Sequence, residues 1–215
     1  MLTKNHEKLT VEVKRHIEAD AVVQGAYWDG SKGCFIGCLA HSSDPKKLGD
    51  LYGLPLPLVR ICENIFENTP AEDAKDFFAA IPAAVGRDGK DLSRVHWAFL
   101  ASELRALPEV DTDTQAAIDT VIDGMDILAS GEDWSEKAAR AARAAADAAY
   151  AADAAYAAYA AYAAADAAGY AAYAATRAYA AAPAAAYTAY AADDAAARAA
   201  RLRQRDTILR LIEMA

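Results

Sequence analysis

AARAAADAAYAADAAYAAYAAYAAADAAGYAAYAATRAYAAAPAAAYTAYAADDAAARAAR occupies residues 141–201. Its alanines are interrupted every third or fourth residue by Tyr, Asp, Arg or Thr, and nine of the eleven tyrosines lie between Tyr150 and Tyr190. Alanine loses no side-chain entropy on ordering and has the best helix propensity, whereas it is depleted in strands and no period of two is present. The spacing therefore predicts a very long Ala/Tyr-rich helix. Unbroken over 135–213 it would be roughly 120 Å long at about 1.5 Å per residue. Gly169 costs about 1 kcal/mol against alanine and is tolerable, but Pro183 removes a backbone donor at about 3 kcal/mol or more, so a kink or break is expected near Ala182.

At about 100° per residue, Tyr156, Tyr159, Tyr162, Tyr170 and Tyr173 fall within an arc of roughly 120°. The tract has an aromatic face with an alanine face behind it. That face reads as an oligomer or partner surface, against the alternative of a solvated spacer left by repeat expansion. The closing stretch, 202–214, adds Leu202, Ile208, Leu209 and Ile212 at helical spacing, an apolar stripe that needs either the rest of the chain or a second chain. Uncharged runs are too short or proline-broken for a membrane span.

Composition changes near Trp134. Ten of eleven glycines and six of seven prolines precede it, which divides the chain into a body at 1–131 and a tail at 132–215. Residues 1–134 carry 13 Lys and Arg against 23 Asp and Glu, residues 135–215 carry 9 against 8, and the whole chain has a net charge of −9. An acidic body disfavours nucleic acid as a partner. Arg198, Arg201, Arg203, Arg205 and Arg210 form a basic cluster that reads mainly as a complement to the C-terminal helix dipole. Three cysteines do not make a secreted disulfide framework, and the first twenty residues are charged throughout, so a reducing cytoplasm is the expected compartment.

The body reads as a bundle of about six short helices. An amphipathic helix is expected over 4–20 with Leu9, Val13 and Ile17 inward and Thr3 as N-cap. Residues 21–28 read as its continuation and 29–33 as a turn. A buried helix follows at 34–41. Asp44 and Pro45 start the next, which ends at Gly53. Further helices are expected over 58–67, from a Thr69 cap to about Ala80, over 92–107, and over 112–128 with Gly131 closing it. No stretch shows strand alternation.

Two constellations carry candidate chemistry. Cys34, Cys38 and His41, at i, i+4 and i+7, share a helical face, and thiolate and imidazole are zinc ligands. The set lacks a second ligand pair, and cysteine packs well as a small hydrophobe, so packing without metal is the expected role. A Cys–His nucleophile needs a spatial pairing that spacing does not supply. The second constellation joins the turns at 27–33 and 86–97. Trp28, His96 and Trp97 offer stacking surfaces while Lys32, Arg87, Lys90 and Arg94 offer charge for a small anionic or nucleotide-like ligand. No glycine-rich phosphate loop or hydrolase motif is present.

The runs YWDGSKGCFIGCLAHS (27–42), YGLPLPLVRICENIFE (52–67) and DGKDLSRVHWAFLASELRALP (88–108), with RQRDTILRLI at 203–212 after an alanine-rich tail, resemble a group of bacterial and phage or prophage proteins. The group has no established activity, so no catalytic residues carry over. The resemblance implies a small protein that binds and blocks a host component or sequesters a signalling nucleotide. The resulting expectation is an all-α cytoplasmic protein, non-enzymatic and without cofactor, that interacts with a host protein or with itself through the tail. A nucleotide-like ligand at Trp28, His96 and Trp97 is the alternative, and a Cys/His enzyme or zinc protein the third.

Burying one tyrosine ring contributes roughly 1–2 kcal/mol at about 25 cal/mol per Å². Replacing Tyr156, Tyr159, Tyr162, Tyr170 and Tyr173 by alanine should preserve helicity, because propensity improves, yet weaken self-association and lower the melting temperature. Sedimentation of both proteins decides it. A monomeric wild type whose melting matches the variant's makes the tract a spacer.

Overall fold

The structure, a computed structural model, describes residues 1–107, 112–151 and 194–215. Among these the protein is all-α, with three isolated β-bridges and no strand. The helices are α1 (His6–Glu18), α2 (Phe35–Ala40), α3 (Lys46–Tyr52), α4 (Leu56–Asn68), α5 (Ala71–Val85), α6 (Val95–Arg105), α7 (Thr112–Ser130), α8 (Glu136–Ala151) and α9 (Asp194–Met214). No helix of the described residues is long and apolar enough to cross a membrane.

The described ends of the alanine tract lie in α8 and α9; residues 152–193, with all five tyrosines of the expected aromatic face, lie outside the described residues, and the expectation of one very long helix falls on them. The chain forms two compact units, Met1–Val95 with Arg201–Ala215, and His96–Ala200. The composition boundary near 131 thus falls inside the second unit.

The first unit is built on a phenylalanine cluster. Phe35 of α2 lies 5.9–6.3 Å, centroid to centroid, from Phe66 of α4 and from Phe77 and Phe78 of α5, and all four rings are fully buried. Leu9 and Val13 of α1 and Ile61 and Ile65 of α4 complete the interior. The C-terminal segment seals this unit. Ile208 and Ile212 are buried, while Leu202 and Leu209 are half-buried. Arg201 donates to Asn64 Oδ1 at 3.2 Å and Arg205 pairs with Asp73 at 3.2 Å. Lys90 Nζ donates to the carbonyls of Ile212 and Glu213, at 2.6 and 2.9 Å, supplying a cation to the end of α9 where the dipole favours one. The apolar stripe at 202–214 has found its partner within its own chain.

Several local expectations change. Thr3 does not cap α1. It is buried, donating its hydroxyl to the Arg87 carbonyl and accepting from Lys90 N, both at 2.8 Å, so it ties the N-terminus to the loop 86–91. Asn5, left-handed at φ 55°, precedes α1 instead, as asparagine tolerates. Thr69 donates back to Ile65 O at 2.6 Å and so finishes α4 rather than starting α5. Helix α5 runs past Ala80 to Val85 with Pro82 inside it. Residues 21–28 do not continue α1. Asp20 turns left-handed at φ 48°, and the chain folds back so that Val23 N donates to Gly33 O and Gly33 N to Ala21 O.

In the second unit α7 packs against α8, with Ala139 and Ala142 buried and the Trp134 ring lying over Gly124. Ile118, Val121, Ile122 and Met125 are buried as the spacing predicts, and Gly131, at φ 93°, ends α7. Arg105 pairs with Asp126.

One contact governs the first unit's loop. The backbone of Tyr27 crosses α2 so closely that a Cβ at Gly37 would fall on the Tyr27 carbonyl. Gly37→Ala should therefore cost about 2–3 kcal/mol, as overpacking does. Gly89→Ala, where nothing lies within 4 Å but φ is 85°, should cost about 1 kcal/mol. Urea denaturation of the two variants measures the difference, and equal costs would mean that the loop yields freely.

Candidate functional site

The crossing at Gly37 places Trp28 on His41, and that pair opens onto the most chemically dense cluster among the described residues. Helix α1 carries Glu12 and His16 four residues apart, hence on one face, with Arg15 beside them. Helix α2 ends at His41, whose left-handed conformation (φ 46°, ψ 45°) turns the chain out of the helix. The two imidazoles meet edge-on, with His16 Nε2 and His41 Nε2 3.0 Å apart. Glu12 Oε2 lies 3.7 Å from the first and 3.5 Å from the second. Trp28 stacks on His41 at 4.6 Å and presents its edge to His16 at 5.5 Å.

Arg15 Nη2 stands over all three atoms, 2.6 Å from Glu12 Oε2, 3.0 Å from His16 Nε2 and 2.9 Å from His41 Nε2. The His16 side chain is 2% exposed and Glu12 19%, while His41 and Arg15 are 42% and 51% exposed, so the cluster has a buried floor and an open mouth. Burial holds the His16 pKa below the ordinary imidazole value, and the charge of Arg15 adds to that, against opposing effects of Glu12 and a hydrogen bond to the Cys38 backbone. For Glu12, burial pushes the pKa up, but the hydrogen bond and charge of Arg15, with His41 and His16, outweigh it and keep the carboxylate ionised. His16 Nε2 faces His41 and Arg15, so in the Nδ1–H tautomer its lone pair would point into the cluster.

The triangle of donor atoms has the size of a metal site. Sides of 3.0, 3.5 and 3.7 Å put its centre about 2.0 Å from each corner, against roughly 2.0–2.2 Å for zinc to imidazole nitrogen or carboxylate oxygen. A cation about 2.1 Å from all three would sit about 0.7 Å out of their plane, the offset of a tetrahedral centre with one open position. When both rings carry their proton on Nδ1, three lone pairs converge on one guanidinium nitrogen that has two hydrogens to give. Such a surplus of acceptors fits a divalent ion.

The candidate metal set Cys34, Cys38 and His41, whose expected role is packing, is not brought together. Cys38 Sγ donates to Gly33 O at 3.1 Å and Cys34 is buried, while His41 Nε2 faces His16 and Arg15 of α1. Glu12, Arg15 and His16 are the residues that sequence reasoning missed. The Glu12–His16 spacing was the available signal, hidden because it sits beside the apolar face of Leu9, Val13 and Ile17.

The residues of the other constellation fall in both units. Trp28 keeps company with His16 and His41, whereas His96 and Trp97, both buried, lie against each other at 4.1 Å on α6. Lys90 Nζ is committed to the carbonyls of Ala84, Ile212 and Glu213. Lys32 closes the Asp29 turn through its backbone N–H at 2.7 Å, and Arg87 and Arg94 are exposed. Compared with protein-family models, curated proteins and solved structures, the chain shows no match.

Burial pushes the Cys38 thiol up to about 12 and that of Cys34 upward too, and Cys62 is also buried and raised. The thiolate is the reactive form. Native protein at pH 8 should therefore react with a disulfide reagent at well under one equivalent on the minute scale, against three equivalents after denaturation. Fast native labelling of Cys34 or Cys38, located by peptide mapping, would contradict the packing seen here.

Proposed function

We propose that this chain is a metal-binding protein, with His16, His41 and Glu12 as ligands for one borderline divalent transition metal. The observation that carries it is the donor triangle, whose centre is one coordination bond from all three atoms. Two imidazoles and a carboxylate suit zinc, cobalt, nickel or ferrous iron better than calcium or magnesium, which prefer all-oxygen shells. Three protein ligands leave a position open, which is the arrangement of centres that bind an exogenous ligand rather than of closed structural sites. A metal-dependent ligand-binding role follows, with Trp28 kept from the expected aromatic pocket and α1 supplying the rest. The interaction reading of the tyrosine tract concerns residues outside the described ones and keeps its own test, the sedimentation comparison above.

Equilibrium dialysis against zinc or cobalt(II), followed by elemental analysis, should give one equivalent per chain. Binding only the native state, the metal should also raise the melting temperature, by the equivalent of about 2.7 kcal/mol at a hundredfold excess over its Kd. His41→Ala and Glu12→Gln alter partly exposed side chains and should weaken binding by about 100-fold or more, whereas Cys38→Ser should leave it unchanged. Stoichiometric metal that survives His41→Ala but is lost in Cys38→Ser would transfer the site to the cysteines.

A further inference from the structure

We propose that the metal-loaded centre takes a small oxyanion, an inorganic phosphate or a carboxylate group, in its open position, and that Arg15 is the residue that holds it. This rests on the metal reading above. Arg15 Nη2 is almost equidistant from the three donor atoms, at 2.6, 3.0 and 2.9 Å, so it lies near the axis through the centre of their triangle. That axis is also the direction of the fourth bond of a tetrahedral metal. The nitrogen stands about 2 Å above the donor plane, where it overlaps the space that a metal and its fourth ligand need. Loading the metal therefore displaces Arg15 outward along the axis. A retreat of about one hydrogen-bond length leaves its guanidinium facing whatever atom completes the metal.

Charge decides what that atom belongs to. In the metal-free cluster the guanidinium of Arg15 faces the carboxylate of Glu12, one positive charge against one negative. A divalent ion raises the cluster to a net of +2, with two cations facing each other across the open position. A neutral ligand there leaves them repelling, whereas an oxyanion binds the metal through one oxygen and accepts the planar guanidinium fork through another. The mouth admits such a ligand, since His41 and Arg15 are about half exposed while His16 beneath them is buried. The Trp28 indole, stacked on His41, walls one side with apolar surface and lowers the local dielectric. The rest of the chain, at net −9, offers anions no general attraction, so affinity has to arise at this spot.

The test uses the full-length protein loaded with cobalt(II), titrated with inorganic phosphate and, separately, acetate, by calorimetry and by the visible cobalt absorption. At least one of the two should bind the loaded protein and shift the cobalt bands, and neither should bind the metal-free protein. Arg15→Gln should bind that anion at least about 10-fold more weakly while holding cobalt as tightly as wild type or tighter, because the competing cation is gone; Arg15→Lys should fall between. The arm that responds identifies phosphate or carboxylate as the ligand class. Cobalt bound stoichiometrically, with bands that neither anion moves, or with Arg15→Gln binding the anion as well as wild type, overturns the proposal while the metal reading stands. Wild type that takes up no stoichiometric cobalt removes both.

Discussion

The first unit depends on how closely the backbone at Tyr27 and Trp28 can lie on α2. Only a residue without a side chain permits that approach, and Gly33 and Gly37, one turn apart, supply it. The loop 21–33 is then held from both ends. Gly33 exchanges backbone bonds with Ala21 and Val23, and Cys34 N donates to Ala26 O at 2.7 Å. Gln24 bridges to the carbonyls of Phe66 and Thr69 at the end of α4. A loop pinned this way has one place for the next large side chain, and Trp28 comes down on His41.

The cluster beneath Trp28 shows how polar residues are accommodated against an apolar interior. His16 is on the inward side of α1, buried among residues that otherwise form the core. An isolated imidazole there would leave a nitrogen without a partner. Here the ring lies beside the Cys38 backbone, and its Nε2 faces Arg15 and His41. Cys38 therefore serves the cluster through its backbone, while its thiol is turned to Gly33 O. That division of labour explains how a cysteine and a histidine three residues apart in sequence end in different environments.

The C-terminal helix illustrates a second constraint. An apolar stripe on a helix otherwise rich in arginine must be covered, and α9 covers Ile208 and Ile212 within the unit formed by the N-terminal residues. The polar contacts around it are specific to that seat: Arg201 with Asn64, Arg205 with Asp73, and Lys90 with the last carbonyls of the helix. Two arginines of the basic cluster, Arg201 and Arg205, are thus engaged in holding the chain's own end.

Sequence alone determined the helical class, because alanine content, 3.6-residue apolar spacing and proline or glycine stops act within a few residues of one another. It placed α2, α3, α4, α6 and α7 to within a few residues, and it identified the inward sides of α1 and α7. Its errors at Thr3 and Thr69 share one cause. A threonine beside a helix start has the right chemistry for a cap, but its hydroxyl went instead to a carbonyl that the fold brought near, Arg87 O in one case and Ile65 O in the other. Only the tertiary structure decided the candidate site. Glu12 and His16 are adjacent on α1, but His41 is 25 residues away and joins them because Gly37 lets the loop cross α2 and because α2 ends in a left-handed turn. Convergence of three donor atoms within 3.7 Å is a property of packing between helices, which no local periodicity encodes.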